Sequence, residues 1–258
     1  MTHPDASTAA GQQPADIQAV SRVAQILELF SPQTPEITAA EAATRIGLNR
    51  TTTYRYCTSL ATAGILERRD DGTFAPGRLA LQLGGFALSR REILDLAPPH
   101  MRDLAAKTHS TAVLSLWGSS GPVVSRVEED HTSTVTVRVR VGTQLDLDSA
   151  QARVFLAFHR DQLQMDRLIA NWPGAAQAEL RTRLEAIRSA GYCAQDNGRG
   201  MAILAHPVFD EHGLCATVAL LNTTEAVSLQ PESLQLRQLL NCARRLTREM
   251  GGPECPEA

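Results

Sequence analysis

Lysine is nearly absent from this chain. Lys107 is the single lysine among 25 basic residues, the rest being arginine. A GC-rich coding preference explains most of that bias, although arginine is also the side chain that reads guanine edges and grips phosphate through two bonds. Net charge is only −3, so any nucleic-acid binding has to come from a basic face on one part of the chain. The five cysteines, Cys57, Cys193, Cys215, Cys242 and Cys255, form no CxxC and no Cys/His pair at ligand spacing. They fit neither a zinc site nor a disulfide framework, and no metal is expected. No apolar run is long enough to span a bilayer. The N-terminal stretch MTHPDASTAAGQQPAD lacks the basic start and apolar core of a signal peptide. A soluble, cytoplasmic protein is expected, with no membrane partner.

Residues that would carry chemistry are missing as a set. His100, His109, His131, His159, His206 and His212 are scattered, and no serine lies in a GxSxG context. Glycine-rich loops for a P-loop or Rossmann site are absent. Cys215 lies in an apolar strand, where a cysteine is an inert core residue, and Glu128-Glu129-Asp130 reads as a solvated acidic loop. No catalytic residue and no cofactor are expected.

What is present is a globular composition, 43% apolar over 258 residues, long enough for two domains with a core each. Residues 1–16 read as a disordered tail. Ile17, Val20, Val23, Ile26, Leu27 and Phe30 then recur at helical spacing and give one apolar stripe. The segment SPQTPE ends that helix. Thr38 followed by Glu41 is a capping box for a second helix, which Gly47 stops with a tight turn. Asn49 caps a third, RTTTYRYCTSLATAG, with Thr53, Cys57 and Leu60 inward and Arg50, Thr51, Thr52, Tyr54 and Arg55 outward. Two short strands, ILERR and TFAPG, flank Asp70-Asp71-Gly72, a hairpin signal.

Helix, helix–turn–helix and hairpin within residues 17–82 form the plan of a winged helix-turn-helix, whose third helix enters the major groove of double-stranded DNA. Arg50 and Arg55 face bases or phosphates, Thr51 and Thr52 face phosphates or thymine methyls, Asn49 and Tyr54 stand with them on the DNA face, Thr38 sits at the positive end of helix 2, and Arg68 and Arg69 lie in the wing. Residues 17–97 hold nine basic and eight acidic residues, a net of +1, so placement carries the reading and total charge does not. A winged domain that docks protein and an enzyme built on a C-terminal cavity are the alternatives.

Residues 83–97 read as a linking helix that Pro98-Pro99 punctuates, followed by a helix at MRDLAAKTH. STAVLSLW, PVVSRVEE and TVTVRVRV are strand-like, the last alternating Val135, Val137, Val139 and Val141 with polar residues. SAQARVFLAFHRDQL and AQAELRTRLEAIRSAG are amphipathic helices. AILAHPVF and LCATVALLN form a hairpin, and residues 231–250 a closing helix, with a short tail at 251–258. Residues 98–250 are therefore an α+β domain with an antiparallel sheet.

The stretch AAEAATRIGLNRTTTYRYCTSLATAGILERRDDGTFAPG resembles the DNA-binding domain of the IclR family of bacterial regulators. IRSAGYCAQD followed by AILAHPVFDEHG resembles the same family's downstream region, and together the two cover most of residues 17–250. The resemblance implies a GAF-like C-terminal effector-binding domain and an effector-responsive transcriptional regulator, repressor or activator, of a catabolic or related operon. It also implies homodimers, often paired into homotetramers, on palindromic operators. Carried across, the family's effector pocket falls on Ala150 and Gln151 at a helix start, on Gln195 in the loop after Gly191-Tyr192, and on Ile203, Leu220 and Asn222 in the hairpin strands. The sequence departs from the family's small and hydroxyl-bearing residues at these places, which favours an apolar or aromatic small-molecule effector over a small carboxylate.

Overall fold

The computed structural model describes residues 17–89, 91–130, 132, 137–170, 172 and 174–253. Its contacts divide the chain into two units, one ending at Leu83 and the other beginning at Gly84. The expected tail at 1–16 lies outside the described residues, as do residues 254–258 of the expected C-terminal tail.

In the first unit, α1 (Gln18–Leu27) buries Ile26, whereas Ile17 and Val20, expected on the same stripe, are exposed. α2 (Ala39–Ile46) starts in the expected capping box. The Thr38 hydroxyl oxygen accepts from the Glu41 N–H at 3.2 Å, and the Thr38 N–H donates to Glu41 Oε2 at 2.9 Å. Those bonds hold the Glu41 carboxyl below its usual range, the Thr38 N–H first and the Thr38 hydroxyl second. Gly47 closes the helix at φ +68°, a left-handed conformation that a side chain resists. α3 (Arg50–Thr62) is capped by Asn49, whose Oδ1 accepts from the Thr51 N–H at 2.8 Å.

β1 (Leu66–Arg68) and β2 (Phe74–Pro76) then pair antiparallel around the Asp-Asp-Gly turn. A further bridge joins Phe74 to Ile37, ahead of α2. The core of this unit is Ile26, Ala39, Cys57, Leu60, Leu66 and Phe74. Gly77 is a packing requirement: a Cβ there would lie 2.5 Å from the Gly64 carbonyl oxygen.

α4 (Arg78–Ser89) follows, with Leu81, Leu83, Phe86 and Leu88 all exposed. α5 (Glu92–Thr108) runs through Pro98 and Pro99, where a break was expected. Each proline removes one i→i−4 bond, but Ile93, Ala97, Met101 and Leu104 are buried on the opposite side, and their packing outweighs the two lost bonds. In place of one linking helix over 83–97, the chain thus has two helices.

The second unit is a five-stranded antiparallel sheet of order β4-β3-β7-β6-β5 with helices on both faces. Its strands are β3 (Thr111–Trp117), β4 (Pro122–Glu128), β5 (Cys193–Asp196), β6 (Met201–Asp210) and β7 (Gly213–Thr223). Its remaining helices are α6 (Ala150–Phe158), α7 (Gln162–Ala170), α8 (Gly174–Ala190) and α9 (Leu234–Glu249). α5 and α9 bury one sheet face through Ala112, Leu114, Leu204, Val218 and Leu220. α6, α7 and α8 cover the other, over Cys193, Ala205 and Ala219.

Several expectations need correction here. TVTVRVRV does not supply a third strand over its described part: Val137–Val141 carries no strand, and residues 133–136 lie outside the described residues. Among the described residues, this segment pairs with β4 around Gly142, at the bridge Val123–Gln144. The helix expected over 149–163 is two, because the chain turns extended at His159, whose Nδ1 accepts from the Asp161 N–H. The closing helix starts at Leu234, with Ser233 as its cap, and not at Pro231.

Candidate functional site

On α3, Thr53, Cys57 and Leu60 point into the core as the three- and four-residue spacing requires. Arg50, Thr51, Tyr54 and Arg55 are exposed and Thr52 is half-buried. That outward face holds guanidinium, hydroxyl and phenol groups and no carboxylate. The wing is differentiated. Arg68 and Arg69 are both exposed, but Arg69 pairs with Glu67 and Glu36, while the Arg68 guanidinium lies over the Tyr54 ring. Thr38 and Asn49 were expected to face DNA; both side chains are engaged as helix caps, Thr38 on both its donor and its acceptor side.

In the second unit the expected pocket residues do not share one surface. Side chains alternate across a sheet. Gln195 pairs with Ile203, and Ile203 with Leu221, so these three face α6 and α8. Leu220 pairs with Leu204 and packs against α5 and α9, on the opposite face. Asn222 follows Leu220 on that face, with its Nδ2 donating to the His109 carbonyl at 2.7 Å and its Oδ1 accepting from the Thr223 N–H. Leu220 and Asn222 therefore do not line a pocket with Gln195 and Ile203. Gln195 itself lies in β5, not in a loop.

Ala150 and Gln151 are buried at the start of α6. Gln151 is committed to the sheet: its Oε1 accepts from the Ser115 hydroxyl at 3.2 Å, and its Nε2 donates to the Thr217 hydroxyl at 3.1 Å and lies near the Val113 and Thr217 carbonyls. Beside this layer lies a cavity of about 120 Å³ lined by Asp148, Arg153, Trp172, Ala176, Glu179, Leu180 and Arg183. A more open one of about 650 Å³ shares Trp172 and is lined also by Gln144, Leu145, Asp146, Leu147 and Leu168. Arg153 Nε and Gln195 Oε1 are buried without a hydrogen-bond partner among the described residues, although buried polar atoms are ordinarily paired. The Gln195 amide reaches the Asp148 carbonyl at 3.4 Å, which ties β5 to the cavity wall. Arg153, Trp172 and Arg183 were not singled out from the sequence. Only Arg153, four residues past the Ser149 cap, stands near a position that drew attention.

Three of the described thiols are held in the protonated form. Burial pushes Cys193 to about 11 and Cys215 and Cys242 to about 12, so each remains protonated at neutral pH. Among the described residues no group of three or more His, Cys, Asp or Glu could hold a metal ion, and no helix is long and apolar enough to cross a membrane.

Comparison with known proteins agrees with this architecture in both units. Residues 19–70 match the IclR helix-turn-helix domain, and residues 85–248 match the bacterial transcriptional regulator IclR C-terminal domain. The HTH-type transcriptional regulator XynR of Escherichia coli is 23% identical over 92% of this chain and 98% of its own length. The transcriptional repressor IclR of E. coli is 24% identical over 76% of each chain. A solved structure of a putative IclR transcriptional regulator from Silicibacter superposes with TM-score 0.79 at 21% identity, covering 92% of this chain and 98% of that one. An IclR homologue from Microbacterium hydrocarbonoxydans, solved in complex with 4-hydroxybenzoate, superposes with TM-score 0.67 at 22% identity, covering 90% and 98%. A winged helix with an acid-free recognition face, joined to an α+β effector domain and matched by the family over nearly its whole described length, makes this chain a member of the IclR family of bacterial transcriptional regulators.

Proposed function

We propose that this regulator reads operator DNA through the outward face of α3, with Arg50 and Arg55 as the principal contacts, Thr51 and Thr52 beside them, Tyr54 at the edge of that face towards Arg68, and the wing alongside. The observation that carries this reading is the exposed, carboxylate-free surface of α3 above a fully buried Thr53–Cys57–Leu60 seam. Thr38 and Asn49 contribute by fixing helix ends, whose free N–H groups face phosphate. A homodimer, extendable to a tetramer, places two such helices on a palindromic operator in the cytoplasm. The exposed apolar side chains of α4 and of the start of α1 are the surface such a dimer covers.

The effector site lies on the α6 side of the sheet, with Ala150, Gln151, Gln195 and Ile203 as its floor and the Trp172 cavity as its opening. Trp172, Leu180 and Ile203 favour a ligand with an aromatic or apolar body, while Arg153 Nε and Gln195 Oε1 call for a polar group at one end. The relative complexed with 4-hydroxybenzoate has the same fold and binds a ligand of that shape. Its binding shifts the population between DNA-competent and incompetent states and so switches a catabolic or related operon.

A gel-shift series on the DNA upstream of the chain's own gene tests the DNA half. Affinity falls steeply with salt as counterions are released, and Arg50→Ala with Arg55→Ala abolishes specific binding. Unchanged specific binding by that double variant refutes the placement of α3. Calorimetric titration with aromatic acids and with aliphatic carboxylates tests the effector half. Heat from the small aliphatic acids alone would refute it.

A further inference from the structure

Two neighbouring arginines of the wing stand in different surroundings. Arg69 is held by two carboxylates, its Nη1 2.9 Å from Glu67 Oε1 and its Nε 3.4 Å from Glu36 Oε1. Arg68 has no carboxylate within ion-pair distance among the described residues; its guanidinium carbon lies 5.8 Å from the centre of the Tyr54 ring. That ring is itself fixed. It meets Phe74 edge-on, at 6.4 Å between centres and 74° between planes. Phe74 is fully buried and is Arg68's partner across the hairpin. The chain of contacts therefore runs from the core, through Phe74 and Tyr54, to a single guanidinium beside the outward face of α3.

Placing either arginine against a DNA phosphate has a different cost. Arg69 would have to leave two carboxylates, whose charge would then stand next to the phosphate and repel it. Arg68 leaves or keeps a neutral ring, and the ring restricts its rotamers before DNA arrives, which lowers the entropy lost on binding.

We propose that Tyr54 is a positioning residue for DNA binding, holding Arg68 as the wing's one DNA-directed cation, and that Arg69 is a structural residue neutralised by Glu36 and Glu67. The proposal rests on the assignment of α3 and the wing as the DNA face.

The test uses the full-length chain and duplexes that the wild type enriches from a randomised library, with affinity read by fluorescence anisotropy across a salt series. Arg68→Ala should weaken binding about three- to tenfold and lower the slope of log affinity against log salt by about one, the signature of one lost phosphate contact. Tyr54→Ala and Tyr54→Leu should produce the same loss and the same change of slope. The combination Arg68→Ala with Tyr54→Ala should be no weaker than either alone. Tyr54→Phe, which keeps the ring over which Arg68 lies, should recover most of the affinity and slope that Tyr54→Ala loses. Arg69→Ala should leave the slope unchanged and lower the thermal midpoint. Three results would overturn the proposal: a slope change in Arg69→Ala equal to that of Arg68→Ala, multiplicative losses for Arg68 and Tyr54, or a Tyr54→Phe chain as weak as Tyr54→Ala. The Arg50→Ala, Arg55→Ala chain separates the two levels. Wild-type binding by it removes the DNA-face assignment, and the proposal with it. Loss of its binding alongside wild-type behaviour of the Arg68 and Tyr54 variants removes the proposal alone.

Discussion

The two units of this chain handle their polar groups in opposite ways. In the winged unit the polar side chains that cap helices and close the turn are near the surface and bond locally in sequence. Thr38 bonds Glu41 three residues on, Asn49 bonds Thr51, and Asp71 accepts from Thr73. In the C-terminal unit several are buried, and Gln151 and Asn222 reach across the sequence to distant partners. Gln151 reaches Ser115 and Thr217, Asn222 reaches the carbonyl of His109, and His206 is almost wholly enclosed. A domain that presents a surface to a large ligand can settle its polar groups within each turn. A domain that closes around a small ligand builds polarity into its interior, where each unpaired atom is costly and therefore informative.

Substitutions at four positions probe that contrast, from the largest expected effect to the smallest. Phe74→Ala removes the fully buried aromatic of a small core and should destabilise the winged unit by about 3–5 kcal/mol. Calorimetry of the full chain should show the winged unit's transition falling and the C-terminal one staying; a single shifted transition would show that the units do not melt separately.

His206 gives the next effect, through pH. Burial holds its pKa at about 4, with Arg244 adding to the shift, against about 6.5 in an unfolded chain. The folded state thus binds fewer protons. The stabilisation is complete above pH ~6.5 and is lost as pH falls from there towards ~4, by up to about 3 kcal/mol. His206→Gln should flatten that part of the stability–pH profile measured by denaturant unfolding; an unchanged profile would place the acid sensitivity elsewhere.

Gln151→Ala leaves the Ser115 and Thr217 hydroxyls without their buried partner and should cost about 2 kcal/mol. Gln151→Leu should not rescue it, because volume is not what the site lacks. Thr38→Ala, at an exposed cap, should cost about 1 kcal/mol, read as a shift in the denaturation midpoint of the winged unit alone.

The same contrast explains what was legible beforehand. The capping box, Asn49, the left-handed Gly47 and the Asp-Asp-Gly turn each declare themselves within four residues, and the winged unit follows from them in order. The C-terminal site depends on sheet register. A shift of one residue moves a side chain through the sheet, and Leu220 and Asn222 stand on the face opposite Ile203. Trp172 and Arg183 escaped notice because only the packing of α8 beside the start of α6 brings them to Arg153. Arg69 looked equivalent to Arg68 because Glu36, its second partner, is 33 positions away and meets it only through the bridge between Ile37 and Phe74. Pro98 and Pro99 misled because the buried side of α5 overrode a local rule.

Trp172, on the cavity wall, has one further consequence. The chain has only two tryptophans, and the other, Trp117, packs against Phe155 and His159 in the same unit, while the winged unit carries Tyr54 and Tyr56. The molecule is therefore optically divided. Tryptophan emission reports the effector half alone, with one indole at the cavity and one inside the packed layer as an internal reference, and a Trp172→Phe chain leaves the reference in place. Tyrosine emission can be assigned to the half that meets DNA once Tyr192 is replaced. The two ends of the regulatory signal can thus be followed in one sample without attaching a dye.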